Sequence, residues 1–322
     1  TAFLDAAVEM ELCKACTFNS LRLLDRIWDS SLPETHPSPA EVGPGNGGSW
    51  TRRKYLRTDR HYRRFQLRRA IVEAVKIEDA KAALRMVQWL CTKFHGCIVP
   101  VTAVHTAAGK GNLDVLKFFK AIEIPGRRDG GAAMRDEIEN DKGHVVRWGR
   151  HDMEHAAANK QYETTTWLYQ NTCAPRAMKS TLMTVVHHGD IALLEWFRAN
   201  YRTLGFDPDT EEEEYELAEA DRDREDLDLY DEFGFGNEGA LTGENVGELL
   251  RGDPEEFIRT AVFAGRLDVL KWMVQNGYVN KSTYLAVRPA VETNRLDIVE
   301  FLISNKLVEA GRALRLDIRG QV

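Results

Sequence analysis

Several short stretches carry residue types that could do chemistry. His151-Asp-Met-Glu154-His155 places two imidazoles four residues apart. On a helix both would lie on one face, able to share a zinc ion with the glutamate as base. The same residues also suit the first helix of a helical pair, which needs no metal. Cys13-Lys-Ala-Cys16 has the spacing of a redox pair or half a zinc site, but no second such pair follows. Gly234-Phe-Gly236-Asn-Glu-Gly239 is formally a dinucleotide fingerprint. That chemistry needs a strand before the glycines and a helix after them. An acidic stretch precedes them here, and it would repel phosphate. Gly109-Lys-Gly111 lacks the flanking Gly and the Ser/Thr of a phosphate loop. These stretches point to no catalytic set, no metal and no cofactor, so a non-enzymatic chain is expected.

Charge is the next candidate. Arg52, Arg53, Lys54, Arg57, Arg60, Arg63, Arg64, Arg68 and Arg69 fall within eighteen residues beside a single acid, Asp59. Tyr55, Tyr62 and Phe65 interleave with them. Such a run can neutralise phosphates and stack bases. It can equally be a cationic helix whose apolar side, Phe65, Ile71, Ala74 and Val75, docks inward. Residues 207–232 are the opposite extreme, with 15 Asp/Glu against two Arg. The chain's net charge of −7 comes from that segment alone, since the remainder is net positive. Like-charge blocks of this kind stay solvated.

The elements that must position these residues are written as a repeat. GNLDVLKFF at 111–119, RLDVLKWMV at 266–274 and RLDIVEFLI at 295–303 are near copies. Anchors at Leu84, Leu113, Tyr162, Ile191, Leu267 and Leu296 extend the series to six units. Three residues on stand Val87, Leu116, Thr165, Leu194, Leu270 and Val299. An aromatic follows at the fifth position: Trp89, Phe118, Trp167, Trp196, Trp272 and Phe301. Leu90, Phe119, Leu168, Phe197, Met273 and Leu302 come next. This spacing predicts a helix buried at positions 0, +3, +5 and +6 and wetter at +1 and +4. Asn112 and Asp190 are placed to cap its start, and Gly111, Gly189 and Gly265 to make the tight turn before it. A small-residue helix precedes each turn, for example VTAVHTAA at 101–108. Each unit therefore reads as helix, turn, helix. Three of the spacings are 29 residues, and the excess elsewhere falls near 125–143 and 204–250. Such a pair cannot bury its face alone, so units must stack.

HTAAGKGNLDVLKFF, with His105, Ala107, Ala108 and Gly111, resembles the ankyrin-repeat signature. The opening Thr-Pro-Leu-His is here Thr102-Ala-Val-His105. The period is shorter than the usual ~33, as if the β-hairpin finger were trimmed. Short, Trp-rich units of this kind are similar to the divergent ankyrin-like repeats abundant in oomycete proteins. The resemblance covers roughly 60–124, 148–203 and 255–308. It implies an all-α, ankyrin-like solenoid of about six to seven helix-turn-helix units with shortened or absent β-hairpins. It also implies a protein partner held on the concave face, at turn positions Lys110, Asn159, His187, His188, Phe263 and Glu292, and raises a role as a host-targeted effector.

The expected organisation is a degenerate helical cap at 1–31, a Pro/Gly-rich linker and the start of the basic run at 32–59, and repeats at 60–203. The acidic insert at 204–250 follows, then C-terminal repeats and cap at 251–322. With 43% hydrophobic and 29% charged residues the composition is globular. The chain begins at Thr1, so removal of a leader is an open question. Five cysteines fit reduced thiols better than a disulfide framework. A cytoplasmic or nuclear setting is expected, or the host cell interior for a secreted effector. The alternative partner is a nucleic acid or anionic surface bound by the basic run and regulated by 207–232.

Overall fold

The structure is a computed structural model that describes residues 10–31, 56–96, 98–123, 144–149, 151–172, 178–200, 250, 254–279 and 290–305. It is mostly helical, as the repeat pattern predicts. The chain forms two compact units, 1–174 and 175–322. The inserts near 125–143 and 204–250 lie outside the described residues.

The first unit holds α1 (Leu12–Thr17), α2 (Leu21–Ser30), α3 (Arg60–Val75), α4 (Ala80–Lys93), α5 (Val101–Lys110), α6 (Leu113–Ile122), α7 (Asp152–Ala158) and α8 (Tyr162–Asn171). Each odd helix packs on the even one after it. The odd helices also pack in file, α1 on α3, α3 on α5, α5 on α7, and α4 packs on α6. Where the chain enters α5 and α7, β1 (Ile98–Val99) and β2 (Val145–Val146) pair in parallel. This two-rung ladder is the strand content among the described residues. The second unit holds α9 (Met178–His188), α10 (Ile191–Asn200), α11 (Pro254–Phe263), α12 (Leu267–Gln275) and α13 (Leu296–Ser304). There α9 packs on α11 and α10 on α12.

The turn inside each pair repeats in detail. Two residues before the second helix the backbone turns left-handed, at Gly111 (φ 68°), Gly189 (φ 76°) and Gly265 (φ 67°). Asn19, Lys160 and Asn294 hold the same place with φ 48–58°. The next residue caps the helix in several pairs. Ser20 Oγ accepts from Leu23 N, Asn112 Oδ1 from Val115 N, and Asp190 Oδ1 from Leu193 N. The expected caps are therefore present, and the N-terminal pair α1–α2 shares the motif through Asn19 and Ser20.

The predicted burial needs one correction. Position +2 of the second helix is core, with Met86, Val115, Thr164, Leu193, Val269 and Ile298 all buried. The anchor itself is not: Tyr162 is 44% exposed and Leu296 69%. The +5 aromatic sits at the edge rather than the centre, half-buried everywhere except at Trp272. An indole has an N–H to satisfy, and a position between core and solvent serves both its ends. Trp89 Nε1 donates to Asp25 Oδ1 at 2.7 Å and Trp272 Nε1 to Glu195 Oε1 at 2.5 Å. In both cases a carboxylate of the preceding second helix is stitched to the next. Positions +3 and +6 are buried as expected, apart from half-buried Val299.

Candidate functional site

The expected contact positions all fall at or beside the turns inside the pairs. Lys110 and Asn159 belong to the first unit; His187, His188, Phe263 and Glu292 belong to the second. Neighbouring turns are tied together by side chains that the sequence reading did not single out. The Gln161 side chain lies over Gly111, where a Cβ would stand 2.1 Å from its Oε1. Arg266 lies over Gly189 in the same way, and Arg295 over Gly265. Arg266 Nε also donates to the His187 carbonyl at 3.0 Å. The recurring signal was a long polar residue just before the anchor.

Lys110 takes part in the same lacing. Its Nζ donates to the Lys76 carbonyl and to Glu78 Oε1 at 2.8 Å. That ammonium holds the Glu78 carboxyl below its usual range, through the hydrogen bond first and the charge second. Asn159 Nδ2 donates back to its own helix at His155 O, 2.9 Å away. His187 and His188 meet edge to face at 5.4 Å. Glu292 is exposed. Phe263 differs from the rest in kind: it is a large hydrophobic side chain left 56% exposed. Phe18, 58% exposed in the α1–α2 turn, was missed. The Asn19-Ser20 pair after it could have marked that turn.

Two members of the basic run, Arg57 and Arg69, are engaged within the chain. Arg52, Arg53 and Lys54 lie outside the described residues. Arg57 Nε donates to Ser31 Oγ and Nη2 to Trp28 O, both at 2.9 Å, and the guanidinium stacks 4.1 Å from the Trp28 ring. It joins the α2 end to the entry of α3. Arg60 opens α3 behind Asp59, whose carboxylate caps Tyr62 N at 2.8 Å. Arg63, Arg64 and Arg68 are half-buried. Arg69 pairs with Glu11 at 3.3 Å and lies 5.4 Å from the Phe65 ring. Phe65 does not dock inward as expected; it is 42% exposed. The buried stripe runs Leu67, Ala70, Ile71, Ala74 and Val75. Phe65 is two residues from Leu67, about 200° around the helix, and so faces outward. Gln66 is buried instead, its Oε1 accepting from Leu12 N at 3.1 Å to cap α1.

His151 and His155 are each engaged by a different neighbour. His151 Nδ1 meets Glu154 Oε2 at 2.6 Å. His155 instead stacks on His105 of α5, with centroids 4.7 Å apart and planes 20° from parallel. His105 Nε2 lies 3.0 Å from Asp152 Oδ1, and Asp152 Oδ2 accepts from Gly149 N at 2.7 Å. Asp152 is fully buried, which pushes its carboxyl up against the opposing pull of His105. Burial pushes the His155 imidazole down, and the charge of His105 adds to this. Among the described residues no group of three or more His, Cys, Asp or Glu could hold a metal ion. Cys13 and Cys16 are buried free thiols. Burial raises both, Cys16 to about 12, which keeps them as inert thiols. Gly109 and Lys110 end α5, and Gly111 makes the turn into α6. Gly234–Gly239 and the acidic stretch lie outside the described residues. No helix is long and apolar enough to cross a membrane, among the described residues.

Compared with protein-family models, curated proteins and solved structures, the chain finds no match.

Proposed function

We propose that the chain is a non-enzymatic scaffold, each unit a stretch of ankyrin-like solenoid that presents its turns to a partner protein. The observation that carries this reading is Phe263. A large aromatic more than half exposed contributes little to its own fold, and aromatics dominate interface energy. It stands in a row of turns laced by Arg266 and Arg295, which hold their backbones in register. Rigid spacing of turns lowers the ordering cost of binding. His187, His188 and Glu292 flank it in sequence-equivalent turns and supply the polar rim. The resemblance to ankyrin-like effectors carries the proposed role inside a host cell.

The alternative, an anionic partner on the basic run, is weakened by Arg57 and Arg69, which are engaged within the chain. The test is affinity capture from lysate with and without nuclease at two salt concentrations, repeated with Phe263→Ala. A single protein should persist through nuclease and salt and be lost with Phe263→Ala. Capture that collapses with nuclease or modest salt, and is indifferent to Phe263, would overturn the scaffold reading.

A further inference from the structure

The stacked imidazoles of α5 and α7, half-buried beside the buried carboxylate of Asp152, are an ionisable cluster that the scaffold reading does not use. His105 and Asp152 form one half, 3.0 Å apart. His155 forms the other, its ring nearly parallel to that of His105 at 4.7 Å. Gly149 closes the site from the side. A Cβ there would stand 2.1 Å from His105 Nε2, so the close approach requires glycine. The charged groups acting on His155 are His105 from α5, Glu154 from α7 itself and His151 just before it. Those acting on Asp152 are His105 and His151. Glu154 is already engaged by His151 at 2.6 Å. Asp152, the one fully buried carboxylate among the described residues, can balance one imidazolium and not two.

We propose that the α5–α7 joint is an acid-sensitive latch: the stack of His155 on His105 holds α7 on α5, and a proton taken up by His155, with Asp152 already set against His105, loosens that hold. The next turn feels it directly, because Asn159 Nδ2 is bonded to the His155 carbonyl and lies 3.4 Å from a Cβ position on Gly109. The latch stands on this geometry whether or not that turn meets a partner.

The sign follows from the proton inventory. His155 is held below its usual 6.5 in the folded state by burial and by His105. Its contribution to stability is therefore complete above pH 6.5 and is lost as pH falls through the folded value. Asp152 acts oppositely, since burial raises its carboxyl and proton uptake there favours the fold. It is present in wild type and in a His155 variant alike, so comparing the two isolates His155.

The experiment is hydrogen–deuterium exchange on the full chain at pH 7.5 and 5.5, corrected for intrinsic exchange, with α9 amides as internal reference. Wild-type protection of α7 should fall on acidification, by up to about tenfold for each pH unit by which the imidazole is depressed. His155→Phe keeps the ring stack without the charge and should abolish that loss. Equal losses in both proteins overturn the proposal. If His155→Phe does not fold, an NMR titration of the wild-type imidazoles decides. One resonance should have its midpoint below 6.5, and titration of all nine histidines at or above 6.5 overturns the latch.

Discussion

Replacing Gly189 by alanine tests whether the turns are laced together or only repeat. Gly189 has φ 76°, and an added Cβ would stand 2.8 Å from Arg266 Cδ and 3.1 Å from Arg266 Nε. Gly277, after α12 in the same unit, has φ 71° and nothing within 4 Å. Both substitutions carry the left-handed backbone cost of about 1–2 kcal/mol. Only Gly189→Ala must also push Arg266 aside. That side chain cannot swing freely while its Nε is bonded to His187 O at 3.0 Å. A charged donor bond is worth about 1.5–3 kcal/mol, and solvent at this exposed site reduces it to about 1 kcal/mol. Gly189→Ala should thus destabilise by about 2–3 kcal/mol against about 1–2 for Gly277→Ala. The assay is equilibrium urea unfolding, with Gly189→Ala also made in an Arg266→Ala background. The cycle should give a coupling of about 1 kcal/mol. Equal costs at the two glycines, or a Gly189→Ala cost unchanged by Arg266→Ala, would refute the lacing.

Other perturbations separate packing from surface. Trp272→Phe keeps the ring beside Tyr278 but removes the donor to Glu195. It should lower stability by about 1 kcal/mol, measured by urea midpoint, and a neutral result would mean the indole bond is idle. Lys160 is a non-glycine residue at φ 58°, so Lys160→Gly should leave stability unchanged or raise it by up to about 1 kcal/mol. A clear loss would place a contact on that side chain. Cys16 is fully buried with its thiol raised to about 12. Alkylation at pH 8, followed by mass spectrometry, should be slow until denaturant is added; rapid native labelling would contradict the burial. Phe263→Ala should change stability by less than about 0.5 kcal/mol, so that a binding defect in this variant reports on the surface and not on folding.

The helical pairs were legible because their signals are local. A left-handed turn, a side chain that caps three residues on, and apolar spacing at the helical period involve neighbours in the chain alone. Gly111, Gly189 and Gly265, and the caps Asn112 and Asp190, were read correctly on those grounds. The candidate positions at the turns could be placed for the same reason. What each side chain does there was not legible. Lys110 reaches back 32 residues to Glu78, and Arg266 reaches 79 to His187, distances that no period encodes.

The sequence by itself determined the helix-turn-helix grammar, the turn geometry and the presence of a core-facing stripe. Tertiary structure decided which stripe that was. Periodicity fixes angles around one helix but not where the neighbouring helices stand, so +2 took the core in place of the anchor, and Phe65 turned outward while Gln66 went in. Tertiary structure also made partners of His105 and His155, which are 50 residues apart in sequence and stacked at 4.7 Å in space. Their chemistry depends on burial beside Asp152, and burial belongs to the packed molecule and not to any stretch of the chain.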